Sequence, residues 1–405
     1  MTVIMKVGRP PGRTVKPSTN GVAERPKKPW QAEEVRPMTM YIGLDVHSKQ
    51  TTWCAQDEAG RVIGQGSVAT TVEALTGLLA TLDAPEGTRI GLESGVQARV
   101  VSLMLRSAGM EPVVVNAAEV RKKARRARQK TDKRDAFEIC DGIRRGQYVS
   151  EVYVPDDGIQ RLRGLLSRRR HFKNVCTMES NAAKYIFRTN GIRVEACRTT
   201  TRQAWEKLLA RPEVERWRTW LEMHAAMWLL ADEMVTRLEV ELAEALEPYR
   251  EELELLQSAP GVGPVVAATY LATVATPERF ATSGHVASYV GLVPSTCDSG
   301  ERERHGGITK EGSREMRAML CEAAHHAQNP RNPLNPYFVR VMAKGGYRKA
   351  VTSVAHRLAC ILYQMWKKHE AFDVSKLGVE AGEYTVTKKR FYALKGARRR
   401  QSKAA

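Results

Sequence analysis

The chain has no apolar stretch approaching the ~18 to 20 uncharged residues a membrane-spanning helix needs, so no membrane home is expected. Its first residues carry Pro, Lys and Arg but no apolar core before a small-residue cleavage site, which argues against secretion and makes the cytoplasm the default. Seven cysteines form no C-x-x-C pair and no regular spacing, so neither a disulfide framework nor a zinc ribbon is indicated. Aromatics are only 6% of the residues, no internal repeat is visible, and acids are outnumbered, 45 Asp and Glu against 64 Lys and Arg. What is present is a chain of 405 residues with 42% hydrophobic content, enough for two or three cores. A formal charge of +19 points to polyanions, chiefly nucleic acid.

The charge is local. Residues 1–38 contribute +5 amid Pro, Gly, Ser and Thr, and read as a disordered basic tail. The stretch from Lys388 to Lys403 contributes +8 with no acid, within a second tail spanning 376–405. The run RKKARRARQKTDKR at 121–134 contributes a further +8, and the remainder of the chain sums to about −2. Nine cations in fourteen residues repel one another, and phosphate contacts relieve that repulsion. Arg121, Lys122, Lys123, Arg125, Arg126, Arg128 and Lys130 are therefore candidate nucleic-acid contacts.

Between these charged segments the pattern predicts an α/β domain over 39–156. MYIGLD, QTTWCAQ and RVIGQGSV form a strand meander, RIGLE and PVVVN are later strands, and helical patterns fall at Thr71–Leu82 and Val96–Ala108. Residues 157–256 hold no convincing strand and read as long pairing helices, a coiled-coil connector that Pro248 kinks or divides. Residues 257–375 read as mostly helical, with a Gly-rich irregular segment between Gly291 and Gly312 and a break at Asn329–Pro336.

Asp45 and Glu93 close two strands, and Asp132 and Asp135 stand three apart at a helix start, on one helix face. Singly, each acid has an ordinary explanation as a turn, surface or first-turn residue. Together, behind a basic run, they favour a metal site: phosphodiester chemistry often uses two divalent ions about 3.5 to 4 Å apart, held by converging carboxylates. Hard oxygen ligands suit Mg2+ or Mn2+, and the topological order matches ribonuclease H-like folds. Gly261 and Gly263 resemble a helix-hairpin-helix turn that holds a phosphate, though a glycine-tightened hairpin without ligand fits equally. In the polar segment from Pro294 to Lys310, Ser299 meets the compositional demands of a nucleophile and Ser295 meets them in part, with Arg302, Arg304 and Lys310 as cations for phosphoryl oxygens. Spacing alone still favours an ordinary loop there.

YIGLDVHSK (41–49), GLESG (91–95), KTDKRDA (130–136), APGVGPVVAATYLA (259–272) and YVGLVPSTCDSGERERHGGITKEGSREMR (289–317) together resemble the DEDD-type insertion-sequence transposases, relatives of the Piv-type DNA invertases. The resemblance covers about residues 40–345, in the family's motif order. It implies a RuvC-like (ribonuclease H-like) mixed-sheet domain, a coiled-coil connection and a C-terminal transposase domain. It further implies that Asp45, Glu93, Asp132 and Asp135 hold magnesium and that a serine, Ser299 by position, attacks DNA to form a phosphoserine link and free a 3′ hydroxyl. Asp298 stands where many relatives carry a second small polar residue, which keeps Ser295 as the lesser candidate. The implied partners are donor and target DNA, a structured bridge RNA, and further copies of the chain, a dimer or a tetramer in synapsis. A nucleoid-associated enzyme is thus expected, with its acids and serine on separate domains and completion between protomers open. The competing readings are a RuvC-like nuclease or junction resolvase using metal-activated water, and a non-catalytic nucleic-acid-binding protein.

Overall fold

Runs of Ile, Leu, Val and Thr between Tyr41 and Val115 pair as five strands, because each alternates side chains between two faces that helices cover. The computed structural model of the chain describes residues 39–123, 131–192, 199–296 and 305–377. The chain divides into two units at Val154/Pro155.

In the first unit the strands are β1 Tyr41–Val46, β2 Gln50–Gln56, β3 Val62–Ala69, β4 Arg89–Glu93 and β5 Pro112–Val115. The helices are α1 Val72–Thr81, α2 Ala98–Ser107, α3 Ala117–Lys123 and α4 Asp132–Arg144. The sheet order is β3-β2-β1-β4-β5: the meander is antiparallel, while β1, β4 and β5 run parallel. This mixed sheet is consistent with the ribonuclease H-like domain that the resemblance implies. Ile42, Leu44, Ile90 and Leu92 point to one face and pack with Leu75, Leu79, Val101 and Leu105 from α1 and α2. The two-residue period sends Gly43, Asp45, Gly91 and Glu93 to the other face, where α4 lies.

The two glycines set how closely α4 approaches. A Cβ on Gly43 would sit 2.2 Å from the Ala136 carbonyl oxygen and 2.4 Å from the Cys140 nitrogen, and one on Gly91 would meet Ile143 Cδ1 at 1.5 Å. The α4 backbone thus rests on β1 with no side chain between. Buried Cys54 and Cys140 fill the seam, and the Cys140 thiol donates to the Tyr41 carbonyl at 3.2 Å. The hydrogen bond with neighbouring Cys54, and then burial, push the Cys140 thiol well above its ordinary range.

The second unit contains α5 Asp157–Thr189, α6 Arg202–Leu209, α7 Arg218–Ala245, α8 Arg250–Gln257, α9 Pro264–Val274, α10 Ser283–Tyr289, β6 Pro294–Thr296, β7 His305–Ile308, α11 Arg314–His325 and α12 Asn335–Lys368. Asp156 caps α5 by accepting from the Ile159 amide at 2.8 Å. Helices α5 and α7 lie antiparallel, tied by Arg169–Glu239 (2.8 Å), Lys173–Asp232 (3.7 Å) and Glu179–His224 (2.6 Å). Their far end closes over Trp205, Leu208, Trp228 and Phe187. Their near end does not stand apart as a connector: Ile159, Leu162, Leu242 and Leu246 share one core with Leu271, Leu320 and Leu358. The expected division at 256/257 therefore has both sides in a single core. Pro248 sits in the short turn Glu247–Tyr249 that separates α7 from α8, since a ring without N–H interrupts the helix.

The segment Gly291–Gly312, expected to be irregular, instead contains the antiparallel pair β6 and β7, with Pro294 opposite Ile308 and Thr296 opposite His305. Its base is drawn together by backbone contact. A Cβ on Gly291 would lie 2.0 Å from the Glu311 carbonyl oxygen, and one on Gly312 would lie 1.9 Å from that of Tyr289. Arg317 fastens this closure by donating to the carbonyls of Val290, Glu311 and Gly312 at 3.1, 2.8 and 3.2 Å.

Gly43→Ala should destabilise the first unit by about 2 to 3 kcal/mol, the upper range for overpacking, because the obstruction is backbone. Gly77→Ala, in an exposed stretch of α1 where nothing lies within 4 Å, should stabilise by roughly 0.5 to 1 kcal/mol. Urea unfolding midpoints check both; a Gly43→Ala change under 0.5 kcal/mol, roughly the level of a neutral surface substitution, would mean that α4 is free to shift.

Candidate metal centre and nucleic-acid interface

Asp45 is the fifth residue of β1, and Glu93 ends β4, one step past the registered pair Leu44↔Leu92. Adjacent parallel strands thus deliver two carboxylates to their C-terminal edge, where open α/β sheets place their ligands. Thr131 stands at the N-cap position of α4, so Asp132 and Asp135 occupy the first turn, at the end favoured by the helix dipole.

Ligand atoms of Asp45, His47 and Asp132 all lie within 4.8 Å of one another. His47 Nε2 is 3.3 Å from Asp45 Oδ2 and 3.7 Å from Asp132 Oδ1. The Asp45 side chain is 16% exposed and that of Asp132 62%, so the group spans from the sheet edge to solvent. Glu93 and Asp135 stand outside this 4.8 Å group. Glu93 faces the Arg121 guanidinium at 3.9 Å, and Asp135 follows Asp132 by one turn. His47 was not among the expected site residues. Its signal in the sequence is its place two residues after Asp45, just past the end of β1. The β1–β2 turn then fixes its backbone: the His47 amide donates to the Gln50 carbonyl at 3.0 Å, and the His47 carbonyl accepts from Thr70 Oγ1 at 2.8 Å. Two carboxylates and an imidazole suit a divalent cation.

Of the basic run, Arg121, Lys122 and Lys123 end α3 and are exposed. Lys123 is engaged within the unit, donating to Glu119 and to the Gln147 carbonyl. Glu119 also accepts from the amides of Val149 and Ser150, both at 3.0 Å. The Lys123 ammonium and these amides hold the Glu119 carboxyl down at about 2. This Lys123 amine is therefore a clip between α3 and the chain beyond α4, while Arg121 and Lys122 face outward. Arg125, Arg126, Arg128 and Lys130 lie outside the described residues, as do Ser299, Arg302 and Arg304.

In the second unit Gly261 adopts φ +79, and a Cβ there would meet the Ala323 carbonyl oxygen at 2.5 Å. The turn is thus tightened for packing against α11. Gly263 is the N-cap of α9, with Pro264 in its first turn. Ser295 donates its hydroxyl to the Gly307 carbonyl at 3.0 Å, across the β6–β7 pair. That bond gives Ser295 a structural use. Lys310 is exposed, at φ +58, where the chain leaves β7.

Residues 42–188 match the DEDD transposase domain of IS110 elements, and residues 253–338 match the family Transposase IS116/IS110/IS902. Two separate stretches of the chain are thus similar to transposases of IS110- and IS116-type insertion elements. A transposase for insertion element IS1111A of Coxiella burnetii is 28% identical over 145 residues, 35% of this chain and 40% of that one. A 44.8 kDa protein of insertion element IS116 from Streptomyces clavuligerus is 27% identical over 228 residues, 56% of this chain and 52% of that one. A 43.6 kDa protein of insertion element IS110 from Streptomyces coelicolor is 31% identical over 112 residues, 27% of this chain and 28% of that one. The chain spans about half or less of the length of these relatives. No helix among the described residues is long and apolar enough to cross a membrane.

Titration with Mn2+ by calorimetry should show binding that Asp45→Asn weakens at least tenfold, about the scale of removing one ligand or its support. His47→Ala should weaken Mn2+ more than Mg2+, because imidazole favours the softer ion. Equal losses for both ions would show that His47 acts only as a neighbour of the carboxylates.

Proposed function

We propose that this chain is the transposase of an insertion element, cutting and rejoining DNA. The observation that carries the reading is the convergence of Asp45, His47 and Asp132 at the C-terminal edge of parallel strands, beneath a helix seated on glycine. In this reading Asp45, Glu93, Asp132 and Asp135 hold Mg2+ or Mn2+, which when bound stabilises charge developing on a phosphodiester. Arg121 and Lys122 attract the phosphate backbone beside these acids, with a salt-dependent affinity.

The nucleophile in this proposal is Ser299, from the sequence match and from the structural use already made of Ser295. The Ser299 Oγ–P bond forms as the P–O3′ bond breaks. The serine proton leaves to a base, and the departing oxygen is protonated as a 3′ hydroxyl. Incubating donor DNA with protein and looking for a covalent adduct tests this. Ser299→Ala and Asp132→Asn should abolish the adduct, whereas Ser295→Ala should retain it. An adduct surviving Ser299→Ala sinks the nucleophile assignment, and strand cleavage without any adduct favours the nuclease reading.

The partners in this proposal are a bridge RNA that pairs with donor and target, and further copies of the chain. Support for the copies comes from α7, where Trp220, Met223, Met227 and Leu230 repeat at spacings of three and four and are 50–62% exposed. Together they present on the order of 450 Å² of apolar surface per protomer, so two copies approach the ~1,000 Å² of a stable contact. Acidic Glu222 and Glu233 beside the stripe suit protein better than phosphate. Light scattering should give a mass of at least twice 45.3 kDa, which Met223→Glu with Met227→Glu lowers; an unchanged mass rejects this face. Sequencing RNA from the same fractions should return one structured species from the element's flank, and its absence would argue against a guide.

A further inference from the structure

The near-zero charge outside the three basic segments conceals a segregation. Between Glu322 and Glu370 the sequence contains no acid across 47 residues, where the chain's ratio of 45 acids in 405 residues would supply about five. The same stretch carries Arg331, Arg340, Lys344, Arg348, Lys349 and Arg357, with two more lysines at the end of α12. Residues 342–349 are all exposed. Among the described residues, no carboxylate pairs with Arg331, Arg340, Lys344, Arg348 or Lys349. Uncompensated cations at this density call for an external anion.

The fold concentrates them. Gly346, at φ +77, breaks α12, so its first half and its second half change direction between Lys344 and Arg348. Arg340 from the first half and Arg357 from the second both reach the Tyr337 ring, at 5.3 and 4.8 Å. A cavity of about 310 Å³, lined also by Pro333 and Leu334, opens at this pair. Beyond the kink, Tyr347 is 42% exposed and stacked on His325 at 5.8 Å. Its hydroxyl lies 2.7 Å from His325 Nδ1 and accepts from Gln328 Nε2 at 2.8 Å. Two guanidiniums at one ring, a flanking row of cations and a rigid aromatic platform are the components that hold a nucleic-acid strand.

We propose that the acid-free face of α12, centred on Arg340, Arg357 and Lys344, binds the phosphodiester backbone of nucleic acid. The proposal rests on the reading that this chain works on nucleic acid, and adds a second contact surface in the C-terminal unit, separate in sequence from Arg121–Arg134. Guanidiniums at Arg340 and Arg357 take phosphate oxygens, Lys344, Arg348 and Lys349 follow the strand, and Tyr347 offers a face to a base or sugar.

Fluorescence anisotropy with the full-length protein tests it, using a duplex DNA and a duplex RNA of arbitrary sequence across a salt series. Arg340→Gln, Lys344→Gln, Arg348→Gln and Lys349→Gln together should raise Kd at least tenfold at ~0.15 M salt and flatten the log–log salt slope by about 2 to 4. The exposed pair Lys344→Gln with Arg348→Gln, which touches no packed group, should flatten it by about 1 to 2 with an unchanged circular dichroism spectrum. A loss on DNA alone assigns the face to DNA, a loss on RNA alone to RNA, and a loss on both to the shared backbone. If the wild-type protein binds and both variants match it in Kd and slope, the face is rejected while the transposase reading stands. If the wild-type protein binds neither duplex, both are rejected.

Discussion

The first unit depends on one contact: the backbone of α4 lying directly on β1 at Gly43. It sets where the helical acids of the proposed centre stand relative to those of the sheet. Asp45 follows Gly43 on the same face of β1, and Glu93 follows Gly91 on the neighbouring strand. Asp132 and Asp135 begin the helix that the glycines admit. A side chain at Gly43 would press on the α4 backbone and lift the helix, and with it two acids, whereas one at Gly91 would meet the Ile143 side-chain tip. The packing that seats α4 on β1 is therefore also what brings Asp132 to Asp45 and His47.

The second unit solves a comparable problem with the same device. Its β6–β7 pair has a polar, Gly-rich sequence with little of its own to bury. The base is held by carbonyls meeting the α-carbons of Gly291 and Gly312, and by one guanidinium serving three carbonyls. A firm base under a polar ribbon suits a segment that must present side chains outward. Arg317 does this without a carboxylate partner in the described structure, so the ribbon's closure depends on hydrogen bonds from a charge to backbone, which are stronger than neutral ones.

Much of this was legible in the sequence. The runs around Tyr41, Gln50 and Arg89 read as strands because each is a short apolar or β-rich run. The division at Pro248 followed from the missing N–H. Three features were hidden for identifiable reasons. His47 lies beyond its strand, and its direction is set by a turn closed by Gln50 and Thr70. The β6–β7 pairing is masked by Gly306 and Gly307, which lower strand propensity even as Gly306 makes room for Ser295. Lys123 reads as one cation among nine, yet its partner carbonyl, Gln147, is 24 residues on.

The charge arithmetic shows how a correct sum can mislead. Outside three basic segments the chain is nearly neutral, which suggests a bland surface. Within the second unit, however, the acids gather on the later part of α7 and on α8, from Glu233 to Glu254, while the 47 residues before Glu370 have none. Segregation of this kind gives one unit two electrostatic faces at little net charge. In the readings proposed above, the acidic face repels phosphate and leaves the apolar stripe of α7 to a second copy, and the basic face retains phosphate near the kink of α12. Net charge governs long-range attraction to a polyanion, but the division of charge within a domain decides which surface meets it.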